Sequence, residues 1–573
     1  MRRKLNGKEI IQVAALAALL VCLGLMVRST KARVETGDFA VPVGLAPELS
    51  DRAERPATPE PSPTPVPTAL PAFRPERSQS PIITSTSIMV HGEQVESYEA
   101  DEEHIIDFGG AEDYTQLPGV ITFRGNNFRN TSSYGVAKLD VGLFGESWSQ
   151  HTGGQTGSGS YWGGSGWTGQ PLVVQWPEET KQIMNMYDSA KQKKDLVEVI
   201  YATLSGSVYF YDLETGEKTR DNLYLGYSYK GAGALDPRGY PLMYLGGGVN
   251  GPDGSAARIQ IVSLIDGKVL YTTGNNDSFA PRGWNAWDSS ALVDAETDQL
   301  IYPGENGVLY LIKLNSKYDP AQGTISVDPE EVKFTYTSSA ADQYYYGMED
   351  SAIAWRGHLF IADNGASFLC IDLNTLTIDW RFNCLDDTNC TGVLEVDETG
   401  HPYIYMSTSF HNGWRSSATA PIPVWKIDAV TGKAVWSREY ECHSLTDLSG
   451  GVQGSLSLGT GPLEGILYVS MARFPDLSNG RLLALDTTTG EELWNLPSNG
   501  YSWSTPVTFY DTDGNGYVIY TDVTGVMYLV DGLTGDVRDT FNFDCTMEAT
   551  PVVYNNTVVI GTRGEEVYGI KLE

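Results

Sequence analysis

The sequence Val424-Trp-Lys-Ile-Asp428-Ala-Val-Thr-Gly432-Lys-Ala-Val-Trp436 contains the pattern that decides the fold. An apolar pentad ends at an aspartate, a turn ending in Thr-Gly follows, and a tryptophan stands eight residues after the aspartate. The pentad predicts a buried β-strand, because β-branched and aromatic side chains suit a pleated surface. The aspartate caps the turn and the glycine supplies its left-handed position. The tryptophan is therefore expected on a second strand that runs back beside the first.

Copies of this pentad recur along most of the chain. They read VYFYD at 208–212, IQIVS at 259–263, LYLIK at 309–313, FLCID at 368–372, VWKID at 424–428, LLALD at 482–486, MYLVD at 527–531 and VYGIK at 567–571. Successive copies end 40 to 59 residues apart, which is typical of a four-stranded propeller blade with loops of variable length. The sequence therefore predicts an all-β, eight-bladed β-propeller over residues 118–573.

Two further turns place a tryptophan at the same offset, Trp380 after Asp372 and Trp494 after Asp486. We expect each indole ring to lie flat on the next blade with its N–H on a backbone carbonyl. The turns after Asp212 and Asp531 have Arg220 and Asp539 at this position instead.

This VYxxD-xxTG-xxxW repeat resembles the repeat of pyrroloquinoline-quinone (PQQ) proteins with its tryptophan docking motif. That family includes quinoprotein dehydrogenases and the eight-bladed lipoprotein scaffold of outer-membrane assembly. The segment at 121–130, ITFRGNNFRN, is similar to the opening segment of such domains, and residues 167–176 fit a first inner strand. The resemblance covers residues 119–573.

The two ends of this region are expected to close the ring. The last pentad ends two residues before Glu573, so the eighth blade has no outer strand of its own after it. Residues 143–150, which contain Trp148, offer a strand without a blade. Pairing the two would complete the eighth blade and remove two exposed edges.

The N-terminal region is predicted to anchor the propeller in the cell membrane. Residues 1–33 contain an 18-residue apolar run at 10–27, long enough for a single transmembrane helix, after Arg2, Arg3, Lys4 and Lys8. Uncleaved, this run is a signal anchor; cleavage near residues 30–32 is the open alternative. Residues 34–117, rich in proline and then in acidic residues, are predicted to be a disordered stalk. We place the propeller on the extracytoplasmic side.

Composition narrows the classes of partner. The formal net charge of −33 opposes binding to nucleic acid or to anionic lipid headgroups. It is compatible with cations, sugars or basic protein surfaces, and also with a role in solubility alone. Among the six cysteines no CxxC or Cys-Cys pair occurs, whereas Cys384 and Cys390 are close enough in sequence for a disulfide in an oxidising compartment.

The segments that lead into the innermost strands are the candidate ligand site. In a propeller they meet near the central channel on the loop-rich face, and they would form a funnel there. The candidate residues are Trp287, Asp288, Glu349, Asp350, Gln453, Trp503 and Glu548. Carboxylates beside aromatic rings suit a sugar, a quinone or a cationic peptide. The alternative is that the polar side chains satisfy backbone groups at strand starts and the tryptophans pack between blades.

A metal candidate lies in the turn Asp511-Thr-Asp513-Gly-Asn515-Gly516. Its alternating oxygen ligands and glycine have the spacing of a calcium loop. The alternative is a polar hairpin turn, since Asp-Gly and Asn-Gly form such turns without metal.

The dehydrogenases of the resembled family have a vicinal disulfide, a calcium-binding set of carboxylates and amides, and a catalytic aspartate. The first feature is absent from this sequence, and the other two match no spaced positions. The sequence therefore predicts no resident cofactor, keeps calcium as a candidate metal, and disfavours PQQ.

The predicted function is a non-enzymatic binding or scaffold propeller with a protein or cell-envelope polymer as partner. One alternative is a PQQ-dependent dehydrogenase, as the resemblance implies. Another is a carbohydrate-binding propeller that uses Trp287, Trp503 and Tyr344–Tyr346. No HExxH, HxH or GxSxG motif occurs, so hydrolase chemistry has no support beyond the carboxylates.

Overall fold

The computed structural model describes residues 73–78, 80–166, 169–411, 417–446 and 448–573. These residues form eight sheets, one for each pentad, and each sheet contains a four-stranded antiparallel blade in which the pentad is the third strand. The predicted eight-bladed, all-β propeller is confirmed. Among the described residues no helix is long and apolar enough to cross a membrane. The predicted anchor at 10–27 lies outside them.

The blades are numbered from the first complete one. Blade 1 consists of Leu172–Val174, Glu198–Ala202, Ser207–Asp212 and Leu223–Tyr224, and blade 2 of Ala234–Leu235, Leu242–Gly246, Ile259–Ser263 and Val269–Thr273. Blade 3 consists of Leu292–Asp294, Gln299–Pro303, Leu309–Lys313 and Glu330–Ser338, and blade 4 of Ile353–Trp355, His358–Ala362, Ser367–Asp372 and Thr377–Asn383. Blade 5 consists of Val393–Val396, Pro402–Met406, Thr419–Asp428 and Lys433–His443, and blade 6 of Ser457–Leu458, Ile466–Ala472, Gly480–Asp486 and Glu492–Ser498. Blade 7 consists of Val507–Tyr510, Gly516–Thr521, Val526–Asp531 and Val537–Asn542, and blade 8 of Val552–Tyr554, Thr557–Gly561, Glu566–Leu572 and Phe144–His151.

Smaller elements decorate this ring. Short strands extend blade 1 at Gly119–Val120, blade 8 at Ser133–Tyr134 and blade 6 at Ser409–Phe410 and Gly450–Gly451. Two separate hairpins pair Gly154–Gly157 with Ser160–Gly163 and Lys317–Asp319 with Thr324–Ser326. The described helices are Glu178–Ile183 and Asp188–Gln192, and 3₁₀ turns lie at Ala111–Asp113, Gln343–Tyr345 and Gly461–Leu463.

Ring closure occurs as predicted. The strand Phe144–His151 pairs antiparallel with Glu566–Leu572, which places Trp148 opposite Gly569. Blade 8 is therefore completed by a strand from the N-terminal side of blade 1. This pairing covers the edge of Glu566–Leu572 that would otherwise be open.

The docking role of the tryptophans is confirmed. The indole N–H groups of Trp380, Trp436, Trp494 and Trp148 donate to Ala429, Thr487, Gly532 and Leu213, each the residue after the pentad of the next blade. Each ring lies against that blade's turn glycine. A Cβ on Gly432 would lie only 2.6 Å from the Trp380 ring, which leaves no room for a side chain. Gly432 also has φ +64°, a backbone conformation that favours glycine.

Arg220 replaces the docking tryptophan of blade 1. Its Nη1 donates to the Leu264 carbonyl of blade 2 over 3.0 Å, the position that corresponds to the tryptophan acceptors. Its Nη2 lies 2.6 Å from Glu198 Oε2, and its guanidinium stacks over Phe210. At this position a buried ion pair therefore joins blade 1 to blade 2, as an indole ring joins neighbouring blades elsewhere.

Part of the predicted stalk is ordered, which corrects the expectation for residues 34–117. Ile83–Val90 pairs with the outer strand of blade 3, placing Ile88 opposite Phe334, and Glu93–Val95 pairs in turn with Ile83–Val90. The alternation of β-branched and hydroxyl residues in ITSTSIMV suits an added strand. The prolines before this segment and the acidic residues after it predict disorder, and they outnumber the few residues whose alternation indicates a strand.

Residues 119–134 run through the centre of the ring. Leu235, Ala354, Leu394 and Val553, in the inner strands of blades 2, 4, 5 and 8, each donate a backbone N–H to this segment. Thr122 reaches Ala291 of blade 3. Since one segment can contact so many inner strands only on the propeller axis, it forms a plug in the central channel.

Two buried arginines hold the plug. Arg124 donates to the Pro506 carbonyl and the Ser457 hydroxyl, which belong to blades 7 and 6. Arg129 donates to the carbonyls of Ala352 and Ser290, beside the inner strands of blades 4 and 3. Burial lowers the pKa of Arg124 to about 9 and that of Arg129 to about 10.

Candidate functional site

The segments leading into the inner strands lie on one face of the propeller, where hydrogen bonds link those of neighbouring blades. The turns between second and third strands open onto the same face, since alternate strands of a blade run in opposite directions. The seven predicted residues do not form one site: Asp288 and Glu349 come together, and the others have separate surroundings.

Serine and threonine side chains at the strand starts link neighbouring blades. At five of these positions the backbone N–H donates to a hydroxyl of the next blade. The chain of bonds runs from Ser290 to Ser351, Thr391, Ser455, Thr505 and Thr550, with donor–acceptor distances of 2.9 to 3.2 Å. For the hydroxyls, the interpretation as backbone partners is therefore correct.

Asp288, Glu305 and Glu349 form a carboxylate cluster between blades 3 and 4. One carboxylate oxygen of each lies within 4.8 Å of the other two. Asp288 and Glu349 precede the inner strands of blades 3 and 4, and Glu305 lies in the turn between Gln299–Pro303 and Leu309–Lys313. Sequence reasoning missed Glu305 because it considered only the segments before inner strands.

One oxygen of each carboxylate is held by a neighbouring donor. Lys230 Nζ lies 2.9 Å from Asp288 Oδ2, and Trp284 Nε1 donates to Glu305 Oε2 over 2.8 Å. Asn364 Nδ2 donates to Glu349 Oε2 over 3.0 Å. These three donors were also missed by sequence reasoning, although all lie on the same face.

Burial and mutual repulsion perturb the cluster. Burial and, after it, the charges of Asp387 and Asp288 raise the pKa of Glu349 to about 7. Burial also raises the pKa of Asp288 and Glu305. Burial alone would lower the pKa of Lys230, but the carboxylates hold it above its ordinary value. The cluster thus contains more carboxyl groups than cationic groups, and two of the three carboxyl groups, Asp288 and Glu305, are buried.

A second acidic group adjoins the cluster through Asn364, whose Nδ2 lies 2.7 Å from Asp387 Oδ1. His411 Nδ1 lies 3.9 Å from Asp387 Oδ2 and 3.7 Å from Asp386 Oδ1. Although burial opposes protonation, these carboxylates raise the pKa of His411.

The remaining predicted residues have structural surroundings. Trp287 is 0% exposed and packs between blades 2 and 3, close to Gly246 and Gly274. Asp350 is buried and accepts from the Ala362 N–H, and the Gln453 amide donates to the Gly450 carbonyl. For these three the packing alternative describes the geometry.

Two predicted residues lie apart from the cluster on the same face. The Trp503 ring lies 6.1 Å from that of Tyr501. Glu548 Oε2 lies 3.7 Å from Arg563 Nε. Neither joins the carboxylate cluster, so the predicted funnel site is divided.

Exposed aromatic side chains flank the cluster. Trp284 is 48% exposed and Tyr344 is 58% exposed, and the Arg282 guanidinium lies 5.7 and 5.1 Å from their rings. We call Arg282, Trp284 and Tyr344 the aromatic rim. It offers the flat surfaces that Trp287 was expected to provide, and Trp287 is unsuited to that role because it is buried.

The turn at 511–516 is a hydrogen-bonded hairpin turn. Asp511 Oδ1 accepts from the backbone of Asp513 and Asn515, and its Oδ2 accepts from the Asn515 amide and the Tyr517 hydroxyl. Because both oxygens of Asp511 are engaged within the turn, the geometry favours the metal-free alternative. Calcium at this turn stays a prediction.

Every cysteine in the described residues is a free thiol, including Cys384 and Cys390. Burial raises the pKa of Cys390 to about 12 and also raises that of Cys384.

Comparison with known proteins agrees with the fold. Residues 478–573 match the family described as outer membrane protein assembly factor BamB. A quinone alcohol dehydrogenase subunit from Komagataeibacter europaeus is 22% identical over 360 residues, which is 54% of this chain and 44% of that protein. The chain thus matches less than half the length of this relative.

Two solved structures of low sequence identity also match this chain. Quinohemoprotein alcohol dehydrogenase ADHIIG from Pseudomonas putida HK5 superposes with a TM-score of 0.53 at 11% identity, covering 82% of this chain and 83% of that chain. BamB from Moraxella catarrhalis gives 0.44 at 17% identity, covering 65% and 93%. The chain therefore shares the propeller fold of the quinohemoprotein dehydrogenase and carries repeats of the PQQ type.

Proposed function

We propose that this protein is a non-enzymatic binding or scaffold propeller of the cell envelope, anchored by a single membrane pass with its propeller outside. The observation that carries the proposal is the plug of residues 119–134. Because the plug fills the axis and its arginines are engaged by carbonyl and hydroxyl groups, a partner would bind the loop-rich face, not the channel.

The aromatic rim and the carboxylate cluster give that face a chemical character. Exposed tryptophan and tyrosine next to an arginine are the residue types that contribute most to protein interfaces. Adjacent excess carboxylate favours a partner that presents lysine or arginine. The proposed partner is therefore a protein with a basic surface; an envelope glycan stacked on Trp284 and Tyr344 is the alternative.

A PQQ-dependent dehydrogenase is the second candidate, supported by the 22% identity to the quinone alcohol dehydrogenase subunit. PQQ carries three carboxylate groups and would need cationic or hydrogen-bonding partners. The carboxylate cluster and Asp387 would repel such a ligand, with Lys230 already paired to Asp288. The residues of this face therefore do not fit the free cofactor, and no reaction step is assigned to it.

Removing the aromatic rim tests the proposed function. The full-length chain, purified in detergent from its own cells, is expected to co-purify a partner. In a Trp284→Ala, Tyr344→Ala double variant we expect at least about a tenfold loss of that partner, since each interface aromatic contributes roughly 1–2 kcal/mol. Quantitative mass spectrometry of the eluates measures the change.

The matched control is Tyr224→Ala. Tyr224 is 59% exposed on the outer strand of blade 1, away from the rim, so its replacement should leave recovery unchanged. If wild type and rim variant recover the same partners in the same amounts, the rim is not the binding surface and the proposal fails.

A further inference from the structure

A histidine and two aspartates come together in blade 4, at the end of the blade opposite the loop-rich face. His358 begins the second strand, Asp372 ends the third strand and is its cross-strand partner, and Asp379 lies on the outer strand. One ligand atom of each side chain lies within 4.8 Å of the other two. Imidazole and carboxylate groups are ligands that zinc takes in proteins.

The imidazole of His358 has an acceptor at each of its two nitrogens. Its Nδ1 lies 2.7 Å from the Arg356 carbonyl oxygen, and its Nε2 lies 3.2 Å from Asp379 Oδ2. A neutral imidazole carries a single proton, which the shorter contact places on Nδ1. The Nε2 lone pair would then face a carboxylate oxygen, an unfavourable contact unless a cation lies between the two atoms. The geometry therefore requires either a second proton or a metal ion at this position.

Each aspartate is held by one oxygen and presents the other to the histidine side. Asp372 Oδ1 accepts from the backbone N–H groups of Asn374 and Thr375 over 2.8 and 3.1 Å. Asp379 Oδ1 accepts from Arg77 Nε over 3.0 Å. Metal ligands are typically oriented in this way, by hydrogen bonds to the atom that does not bind the ion. The bond from the histidine Nδ1 to a backbone carbonyl has the same role.

Blade 4 differs from blades 5 to 7 at the same backbone positions. Asp379 is the unpaired residue of a β-bulge in the outer strand and is only 2% exposed, whereas Val435 and Leu493 occupy this place in blades 5 and 6 and are 52% and 49% exposed. The three corresponding residues are Tyr403, Asp428 and Val435 in blade 5, Ile466, Asp486 and Leu493 in blade 6, and Tyr517, Asp531 and Arg538 in blade 7.

The aspartate at the end of the pentad is common to these four blades because it caps the turn. The histidine and the second aspartate are peculiar to blade 4 among them, so turn formation does not explain either residue. Burial of a second carboxylate beside the first is unfavourable without a nearby cation. The combination therefore indicates a ligand-binding role for this blade.

The distances suit a small tetrahedral ion. Zn²⁺ binds nitrogen and carboxylate oxygen at about 2.0–2.2 Å, so two ligands of a tetrahedral site lie about 3.3–3.5 Å apart. His358 Nε2 and Asp379 Oδ2 are already at nearly this separation. The Asp372 oxygen would reach it by a shift of at most about 1.5 Å. Ca²⁺ fits less well, because it takes six to eight oxygen ligands.

We propose that His358, Asp372 and Asp379 bind one Zn²⁺ ion, with a fourth position open to water. The ion would lie beneath residues 73–78, because the Phe73 ring packs edge-on against the His358 ring at 4.9 Å and the Ser78 N–H donates to the Asp379 carbonyl. The inference goes beyond the proposed function. The site is at the opposite end of the blade from the loop-rich face and leaves the charge of the carboxylate cluster unchanged.

Cobalt substitution tests the site, since the visible absorption of Co²⁺ reports tetrahedral coordination. Full-length protein stripped with a chelator should show saturable absorption with one equivalent of Co²⁺, and Zn²⁺ should displace it. His358→Gln and Asp379→Asn should each weaken Zn²⁺ binding by at least about tenfold, because the loss of a ligand costs no less than the loss of an outer partner. Calorimetric titration with Zn²⁺ measures the affinities.

His401→Gln is the matched control. His401 Nε2 lies 3.0 Å from Asp428 Oδ2 in blade 5, where Val435 replaces the second aspartate, so this variant should bind Zn²⁺ as the wild type does. The melting temperature of each variant in chelator shows whether it is folded. If a second proton holds the contact between His358 and Asp379, wild type and His358→Gln will bind Zn²⁺ equally, which would overturn the proposal. Absence of saturable tetrahedral absorption, or an equal loss in His401→Gln, would also overturn it.

Discussion

Replacing Glu198 by alanine is expected to lower the free energy of unfolding by about 3–5 kcal/mol, because it leaves Arg220 buried without a counter-charge. Glu198 is 0% exposed and Arg220 is 2% exposed. The carboxylate also accepts from Trp176 Nε1 over 2.9 Å, so a buried indole N–H loses its partner too. Urea denaturation followed by circular dichroism measures the loss.

A double variant separates the effect of the unpaired Arg220 charge from that of the docking bond and the packing around it. In Glu198→Leu with Arg220→Met the buried charge is absent, and the loss should be clearly smaller than for Glu198→Ala. If the double variant is instead as unstable as the single variant or less stable, the docking bond from Arg220 to Leu264 and the packing matter more than the unpaired charge.

Replacing Trp380 by alanine is expected to destabilise the propeller by about 3–5 kcal/mol, since the substitution empties a large buried volume. The ring is 1% exposed and lies against Phe360, Phe368 and the Gly432 turn. The Ala429 carbonyl also loses the indole N–H that lies 3.0 Å away. The shift of the urea midpoint, with the slope checked for constancy, gives the change.

Trp436→Ala is the comparison for that prediction. Trp436 makes the same bond to Thr487, but its ring is only partly buried, so the loss should be smaller. Equal losses at the two positions would mean that the hydrogen bond, not the buried ring, dominates docking.

The fold was predictable because its signal repeats. Each pentad is locally consistent with a buried strand, and eight copies leave few alternatives to a propeller. The tryptophan offset also predicted which side chains join blades. Arg220 was not recognised in that role, because a charge at a buried position depends on a partner, Glu198, which lies in another strand and carries no local signal.

The site was less predictable, because strand starts give the face of the propeller but not the direction of each side chain. Of the predicted residues, Asp288 and Glu349 do come together. Trp287, one residue away from Asp288, packs between blades instead. Glu305 was missed although its turn opens onto the same face. Which side chains converge there depends on the twist and packing of neighbouring blades, which the repeat pattern does not encode.

The plug was the largest gap in the sequence reading. The segment at 121–130 was identified only as an opening segment, yet its arginines contact blades 3, 4, 6 and 7. Arginine in such a segment suggests an exposed position, because charged side chains are seldom buried. Only the ring of inner-strand carbonyls and hydroxyls explains why these two are buried.

We propose that the loop-rich face binds a partner and does not bind a quinone cofactor. Equilibrium dialysis of the full-length protein against PQQ with Ca²⁺, followed by absorbance and dye-reduction measurements with a primary alcohol, tests it most directly. We predict no retained cofactor absorbance above that of a PQQ-free control and no alcohol-dependent dye reduction. Retention of one PQQ per chain with alcohol-dependent dye reduction would contradict the claim.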